Sequence, residues 1–391
     1  MFLSTFEVLR KLIIDQNSIQ SLLYLSRGVF GADFGSSTAV IQNASNKEAR
    51  GSYFRLVERT FQEFEQSHLR MLFEQTLANN DFKYRFMDYN KDVTELSYSK
   101  DGQKIYYPNV SQQDFEKIPG VRFAFWLSNT IIKSFSKNKI KDIACPKAGL
   151  STGDNDRFLR LWFEVSIYNI YFDGKCRYDL SSFTQKWVPM TKGGSFRKWY
   201  GNNEYVLNFQ NDGSELKYWL VNNPHDPTTK SYSRYIRNYD QYCKSGFSFA
   251  DVNSGNTNFR FQPTGYIPNA RGPFIFSENK CLLGFLNSCI PNIILKALSP
   301  TMSYNVGDVG LVPYIPIENN DVSVCVDENI SIGKQDWDAH ETSWDFQCSP
   351  LLEVEPTEGE PAHPERLEWR VNQYKCKWEA LFHQLHANEE E

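Results

Sequence analysis

Arg27-Gly28-Val29-Phe30-Gly31-Ala32-Asp33-Phe34-Gly35 is the stretch on which the fold reading turns. A glycine-rich loop that cradles a phosphate or nucleotide needs a strand before it and a helix after it, so that helix-terminal N–H groups face the ligand. Here a short apolar run, Ser21 to Ser26, comes before, and Ser37 to Gln42, also of strand type, comes after, followed by a further strand-like run from Ser52 to Val57. The pattern predicts a tight connection between strands at the edge of a sheet rather than a cofactor cradle.

Outward from that sheet, Phe2, Phe6, Leu9 and Ile13 recur at helical spacing, so the chain opens inside a helix. Phe61, Phe64, His68, Met71 and Leu72 mark a second helix, and Ala124, Leu127, Ile131 and Phe135 a third. That third helix runs into the basic stretch Lys133, Lys137, Lys139, Lys141 and Lys147. Residues 141–317 then change to short aromatic and β-branched segments separated by Gly, Asn and Pro, with one helix near Leu282 to Leu298, which predicts a mixed, strand-rich region with long loops. A Pro/Glu-rich linker, residues 349–366, leads to Leu367, Val371, Tyr374, Trp378, Leu381 and Leu385, a helical seam suited to packing on another helix.

The 391 residues, 41% hydrophobic and 15% aromatic, exclude wholesale disorder and allow two or three domains. The net charge of −5 conceals a division: residues 1–317 carry 37 Lys+Arg against 29 Asp+Glu, a balance of +8, and residues 318–391 carry 5 against 18, a balance of −13. Any surface for a polyanion therefore belongs to the body and not to the tail. The eight cysteines include no Cys-x-x-Cys pair, and none has a histidine at ligand spacing, so no zinc site and reduced thiols are expected. The N-terminus lacks a signal-peptide pattern, and the most apolar later stretch, residues 281–298, is broken by Asn287, Ser288 and Pro291. No membrane span and a cytoplasmic location are expected.

Only His68 and His225 of the six histidines lie in the body; His68 reads as a satisfied core histidine and His225, in Asn222-Asn223-Pro224-His225-Asp226-Pro227, as part of a turn. Hydrolytic triads and metal-dependent hydrolysis are thus poorly supported. Gly149-Leu150-Ser151-Thr152-Gly153-Asp154-Asn155-Asp156-Arg157-Phe158-Leu159-Arg160-Leu161-Trp162 is a small-residue turn leading into an alternating strand. It suits presentation of N–H groups, hydroxyls and arginine to phosphates, and equally a polar loop capping a strand. Lys192-Gly193-Gly194-Ser195-Phe196-Arg197-Lys198-Trp199-Tyr200-Gly201-Asn202-Asn203 interleaves cations with aromatics, where Arg and Lys suit phosphates or guanine edges and Asn suits adenine. Carbohydrate binding is the competing use of such a mixture.

Those two segments do not stand alone. With the Arg27–Gly35 stretch, Met1-Phe2-Leu3-Ser4-Thr5-Phe6-Glu7, Arg271-Gly272-Pro273-Phe274, Leu282-Leu283-Gly284-Phe285-Leu286-Asn287-Ser288 and Val306-Gly307-Asp308-Val309-Gly310, they occur in an order that resembles a known group. That group is the adenine-specific DNA methyltransferases of bacteriophage-exclusion (BREX) systems, the PglX-like enzymes, and related type II restriction-modification methyltransferases. The resemblance implies methyl transfer from S-adenosylmethionine to the exocyclic amine of an adenine flipped out of duplex DNA. It also implies an Asn-Pro-Pro-Tyr loop and an upstream glycine-rich donor site, and neither is present; the nearest Asn-Pro is Asn223-Pro224.

The chain is therefore expected to be an internal piece of a longer enzyme, α/β plus α+β in class. Residues 1–80 would be the C-terminal part of the methyltransferase catalytic domain, a remnant of its Rossmann-like sheet, residues 81–140 a connecting helical region, 141–317 a mixed, strand-rich DNA target-recognition domain, and 318–391 an acidic linker and C-terminal helix. No catalytic, cofactor-binding or metal residues are expected in this piece, which alone would be inactive, with S-adenosylmethionine serving the full-length family. The expected partners are double-stranded DNA and the missing catalytic half or other defence-system subunits. By residue type, the DNA contacts would come from Ser151, Thr152, Asn155, Arg157, Lys192, Arg197, Lys198, Asn202, Arg234, Arg237, Arg260 and Arg271. The alternatives are a non-catalytic DNA-specificity subunit and a carbohydrate-binding module.

Overall fold

The computed structural model describes residues 4–31, 35–58, 62–252, 256–299, 303–317, 319–355, 363 and 365–391. Phe2, Phe61, Ala32 to Phe34 and most of the Pro/Glu-rich linker lie outside the described residues. Two units are distinguished: the first is Met1–Lys139 with Ile293–Tyr304 and Leu311–Tyr314, and the second is Ile140–Asn292 with Asn305–Gly310 and Ile315–Glu391.

In the first unit, helix α1 (Glu7–Gln16) leads into strand β1 (Ser18–Tyr24), which pairs antiparallel with β2 (Ser37–Gln42) from Ser18↔Gln42 to Tyr24↔Ser37. The glycine-rich stretch joins these two strands, with Gly28 and Gly31 at φ 77° and 71°, values that glycine adopts freely. No helix follows it, as its sequence predicts. Strand β3 (Arg50–Arg55) runs parallel to β1; helix α2 (Gln66–Ala78) and the short paired strands β4 (Lys83–Tyr84) and β5 (Gln103–Lys104) follow. Strand β6 (Tyr106–Ser111) closes the order β2-β1-β3-β6. The sheet is mixed, with one parallel pair flanked by antiparallel ones.

Helix α1 buries Arg10, Ile13 and Ile14 and leaves Phe6 and Leu9 exposed, so its buried face is not the whole apolar stripe that the spacing predicts. The fully buried Arg10 sets the difference: its Nε and Nη2 donate to the Gly120 carbonyl at 3.0 and 2.7 Å. Gln112 locks the other end, donating from Nε2 to the carbonyls of Ile14 and Asn17 and accepting from the Ile19 N–H. The predicted third helix is shortened to α3 (Asn129–Ser134), because the Ser128 hydroxyl caps it by accepting from the Ile131 N–H at 3.3 Å; Ala124 and Leu127 are buried before it starts.

The second unit opens with α4 (Ile140–Ile143) and β7 (Cys145–Lys147), then α5 (Asn155–Phe158), β8 (Leu159–Leu161), β9 (Trp187–Met190), β10 (Tyr205–Asn208) and α6 (Gln210–Asn222). Next come β11 (Gly246–Ser248), β12 (Arg260–Gln262), β13 (Phe274–Phe276) and α7 (Lys280–Asn287). Its sheets have the orders β8-β10-β9 and β12-β11-β13-β7. They are antiparallel and built from the short segments that the sequence predicts. Leu150, Phe158, Val188, Leu207, Phe209 and Leu216 belong to one buried core of this unit. Prolines fall on edge strands, where a missing N–H is tolerated: Pro146 on β7, Pro189 on β9 and, in the first unit, Pro108 on β6 beside a bulge with Asn109 at φ 60°.

The single helix expected near Leu282 to Leu298 is two, α7 and α8 (Cys289–Leu298), bent by 66°. Ser288 takes an extended backbone and caps α7 through its N–H to the Phe285 carbonyl, and Pro291 fits only in the first turn of the new helix. Leu282, Leu283, Leu286, Ile294, Leu295 and Leu298 are buried in protein, and among the described residues no single helix is long and apolar enough to cross a membrane. After α9 (Val306–Gly310), α10 (Asn320–Asp338) and α11 (Leu367–Glu390) end the chain. The seam of α11 is half-buried from Val371 to Leu385, and near its end Asn388 donates to Glu328 and Asn329 of α10.

Candidate nucleic-acid interface

The Lys192 to Asn203 loop connects β9 to β10 and is supported from beneath by Arg260. Arg260 is fully buried; its Nη2 donates to the Gly193 carbonyl at 3.0 Å and its Nη1 to the Arg197 carbonyl at 3.4 Å. Burial, with the Arg197 charge beside it, pushes its pKa down to about 10, so it stays protonated at neutral pH. The Asn202 amide spans the same loop, donating to the carbonyls of Gly193 at 3.0 Å and Ser195 at 2.8 Å.

Such a cup of carbonyls forces unusual backbone. Gly194, Trp199, Gly201 and Asn202 have φ 73°, 68°, 119° and 58°, and a Cβ on Gly194 would lie 2.7 Å from the Asn202 amide nitrogen. For a residue as bulky as Trp199 that conformation is strained by about 1–3 kcal/mol and has to be held in place. Trp199 is held on both sides of β12: its N–H donates to the Phe259 carbonyl at 3.0 Å and its carbonyl accepts from the Phe261 N–H at 2.8 Å.

Four segments far apart in sequence meet through backbone bonds. The Leu150 N–H donates to the Pro268 carbonyl and the Leu150 carbonyl accepts from the Ala270 N–H; the Ser151 N–H donates to the Tyr235 carbonyl. Thr191 Oγ1 donates to the Gly272 carbonyl at 3.0 Å and accepts from the Asn269 N–H at 3.3 Å. A Cβ on Gly193 would lie 3.0 Å from the Arg271 carbonyl, and one on Gly149 only 1.9 Å from the Pro268 oxygen, so these glycines serve close approach within the protein. The segments that carry Ser151, Lys192, Arg234 and Arg271 are thereby linked, largely through their backbones.

The individual side chains divide into three groups. Arg260, Asn202 and Thr152 are buried and shape loops; the Thr152 hydroxyl bonds Asn155 Oδ1 at 2.7 Å. Arg157, Arg197, Lys198 and Arg271 are paired with Glu215, Asp336, Glu389 and Asp251 at 3.0, 2.5, 2.9 and 2.8 Å. The Arg157 bond holds the Glu215 carboxyl below its ordinary range, and the guanidinium lies 4.6 Å from the Trp219 ring centroid. Lys192 stands 4.0 Å over Tyr205, while Arg234 and Arg237 are exposed, Arg234 lying 3.9 Å from Asp226. Phe196, at the exposed part of the Lys192 loop, is 55% exposed.

Sequence reasoning passed over Asp226, which sits in the turn read at residues 222–227. Its carboxylate accepts from the hydroxyls of Thr229, Thr228 and Tyr235, each at 2.7 Å, and these hold it well below the usual carboxylate range. It fastens the segment that carries Arg234. The run Asp226-Pro227-Thr228-Thr229 was the available signal, since a carboxylate followed closely by two threonines suits a local hydroxyl clamp.

Elsewhere little chemistry is assembled. His68 is buried among Phe64, Tyr84 and Tyr89, but neither ring nitrogen has a hydrogen-bond partner, so it is a core histidine contained by rings rather than satisfied by polar groups. Burial lowers its pKa. All eight cysteines are free, and among the described residues no group of three or more His, Cys, Asp or Glu is placed to hold a metal ion. The described residues of the glycine-rich stretch link antiparallel strands and offer no helix N-terminus of the kind that holds a donor's charged groups.

The chain is similar to adenine-specific methyltransferases, as the resemblance in its motifs implies. It is 31% identical over 363 residues to the adenine-specific methyltransferase BrxX of Escherichia coli O9:H4 (strain HS), covering 90% of this chain and 26% of BrxX. It is 29% identical over 405 residues to the adenine-specific methyltransferase PglX of Lacticaseibacillus casei (strain Zhang), covering 100% of this chain and 30% of PglX. The chain thus spans less than a third of the relatives it matches. No protein-family model matches it. Among solved structures, the type IIL restriction-modification enzyme MmeI in complex with DNA aligns with TM-score 0.46 at 12% identity, over 96% of this chain and 46% of that one. The type IIG restriction endonuclease BpuSI aligns with TM-score 0.29 at 12% identity, over 83% and 40%. No residue role is taken from either.

Proposed function

We propose that this chain reads the DNA target for a site-specific adenine methyltransferase of a BREX or restriction-modification system. The observation that carries the proposal is the linking of four cation-bearing segments distant in sequence, one of them a loop shaped by a buried arginine. Residues 141–317 form the target-recognition domain in this reading, and residues 1–80, with their one parallel strand pair, descend from the methyltransferase sheet. Residues 81–140 lie between them in sequence and add β6 to the first sheet, and the acidic 318–391 segment follows. Arg234, Arg237 and Lys192 meet phosphates, Phe196 offers an apolar edge to unstacked bases, and Ser151 and Asn155 complete the polar rim. Methyl transfer from S-adenosylmethionine falls to residues of the longer enzyme that this sequence does not contain, since it has neither Asn-Pro-Pro-Tyr nor a fitting donor loop.

Titration of the full chain with a labelled duplex between roughly 50 and 200 mM salt tests the reading. A log–log slope of about −0.9 per neutralised phosphate is expected. Absence of binding at the lowest salt, or salt-insensitive binding to glycans instead, would overturn it.

A further inference from the structure

In the free protein, Glu389, near the end of α11, places its carboxylate on two donors of the Lys192 loop at once. Lys198 Nζ meets Oε2 at 2.9 Å, and the Trp199 indole Nε1 donates to Oε1 at 2.7 Å. The Lys198 and Glu389 side chains are only 22% and 26% exposed, so this is no free surface pair. The indole cannot turn away easily, because Trp199 is only 4% exposed and its backbone is bonded to Phe259 and Phe261. An ammonium and a fixed N–H converging on two oxygens of one monoanion form an anion site, and it is fixed to the loop and not to the helix.

A phosphodiester presents the same features as that carboxylate: one negative charge and two acceptor oxygens able to take one donor each. We propose that Lys198 and Trp199 together bind a backbone phosphate of DNA and that Glu389 occupies this site in cis until DNA displaces it. The proposal rests on the DNA-reading function above and adds Trp199 as the second donor and Glu389 as the competitor. Displacement is local, since the helix keeps its bonds from Asn388 to Glu328 and Asn329, and Arg370 still donates to the carbonyls of Leu351 and Leu352. The acidic tail acts in this way as a threshold: only a ligand offering several phosphates together, with release of their counterions, outcompetes a tethered carboxylate.

The test uses the full chain as wild type, Glu389→Gln, Lys198→Met, the double variant, and Glu379→Gln as a control for charge elsewhere on α11, where Glu379 is exposed. Duplex affinity is read by fluorescence anisotropy across salt. Glu389→Gln is expected to bind about 3- to 10-fold more tightly, because the phosphate no longer has to displace a tethered carboxylate. In the Lys198→Met background the same change is expected to do nothing, and Glu379→Gln to alter affinity less than 2-fold. Unchanged affinity in Glu389→Gln while the wild type binds DNA, equal tightening in Glu379→Gln, or tightening that persists without Lys198 would each overturn the competitor and leave DNA reading standing. Failure of every variant to bind the duplex would remove the DNA-reading function itself.

Discussion

The loop of residues 192–203 is fixed from beneath by a fully buried arginine and covered by carboxylates more than a hundred residues away in sequence. The segment of residues 223–237 is tied locally by the carboxylate of Asp226 and to Ser151 through the Tyr235 carbonyl, and it leaves Arg234 and Arg237 exposed. One loop has precise shape and closely paired cations; the other has exposed arginines, of which Arg234 lies 3.9 Å from Asp226. Affinity for a polyanion is thus expected to come first from the second loop, and positioning from the first.

The largest break in this contrast is Arg260→Met. It takes donors from the Gly193 and Arg197 carbonyls, each worth about 1–3 kcal/mol when left unpaired, so a stability loss of about 2 kcal/mol or more is expected. Chemical denaturation measures it, and an unchanged midpoint would mean the loop stands without its support. Next comes Gly194→Ala, which places a Cβ against the Asn202 amide at φ 73° and is expected to cost about 1 kcal/mol or more. Thermal unfolding reads that loss, with concurrent weakening of DNA binding.

Arg234→Ala and Arg237→Ala are expected to leave stability within about 0.5 kcal/mol and to lower the salt slope of DNA binding by about one each. Arg197→Ala, whose charge Asp336 already balances, should lower it by less; an equal drop would erase the distinction between the loops. The smallest effect concerns pH. Because Asp226 is held below its ordinary value, its contribution to order is present above the unfolded carboxyl pKa, near 4, and lost as pH falls below that. Amide exchange at residues 228–235 is expected to accelerate below about pH 4 and to lose that dependence in Asp226→Asn.

Local features were legible from sequence. The strand at Ser37 to Gln42, the connection through Gly28 and the half-buried seam of α11 follow from period and turn chemistry, which depend on near neighbours. What was not legible depends on distant partners. Arg260 has the composition of a phosphate ligand yet supports a loop from inside, and nothing in its immediate sequence distinguishes the two uses. Arg197 and Lys198 look free until Asp336 and Glu389 arrive, and treating body and tail as separate charges hid that pairing. The bend between α7 and α8 arises at Ser288, whose extended backbone parts the two helices within the apolar stretch that Asn287, Ser288 and Pro291 interrupt.

The prolines on β6, β7 and β9 have a consequence for how copies of the chain meet when partly opened. Those on β6 and β7 remove a donor from an outer strand and so hinder a foreign strand from adding there, while β9 is already bridged through Met190 to Ile267. The rim formed by β2 has no such stop: Ser37 to Gln42 contains neither proline nor charge, and Val40 and Ile41 are 61% and 39% exposed. Cross-β stacking of misfolded chains would be seeded along β2, where a lysine in place of Val40 would act as a gatekeeper against fibre growth.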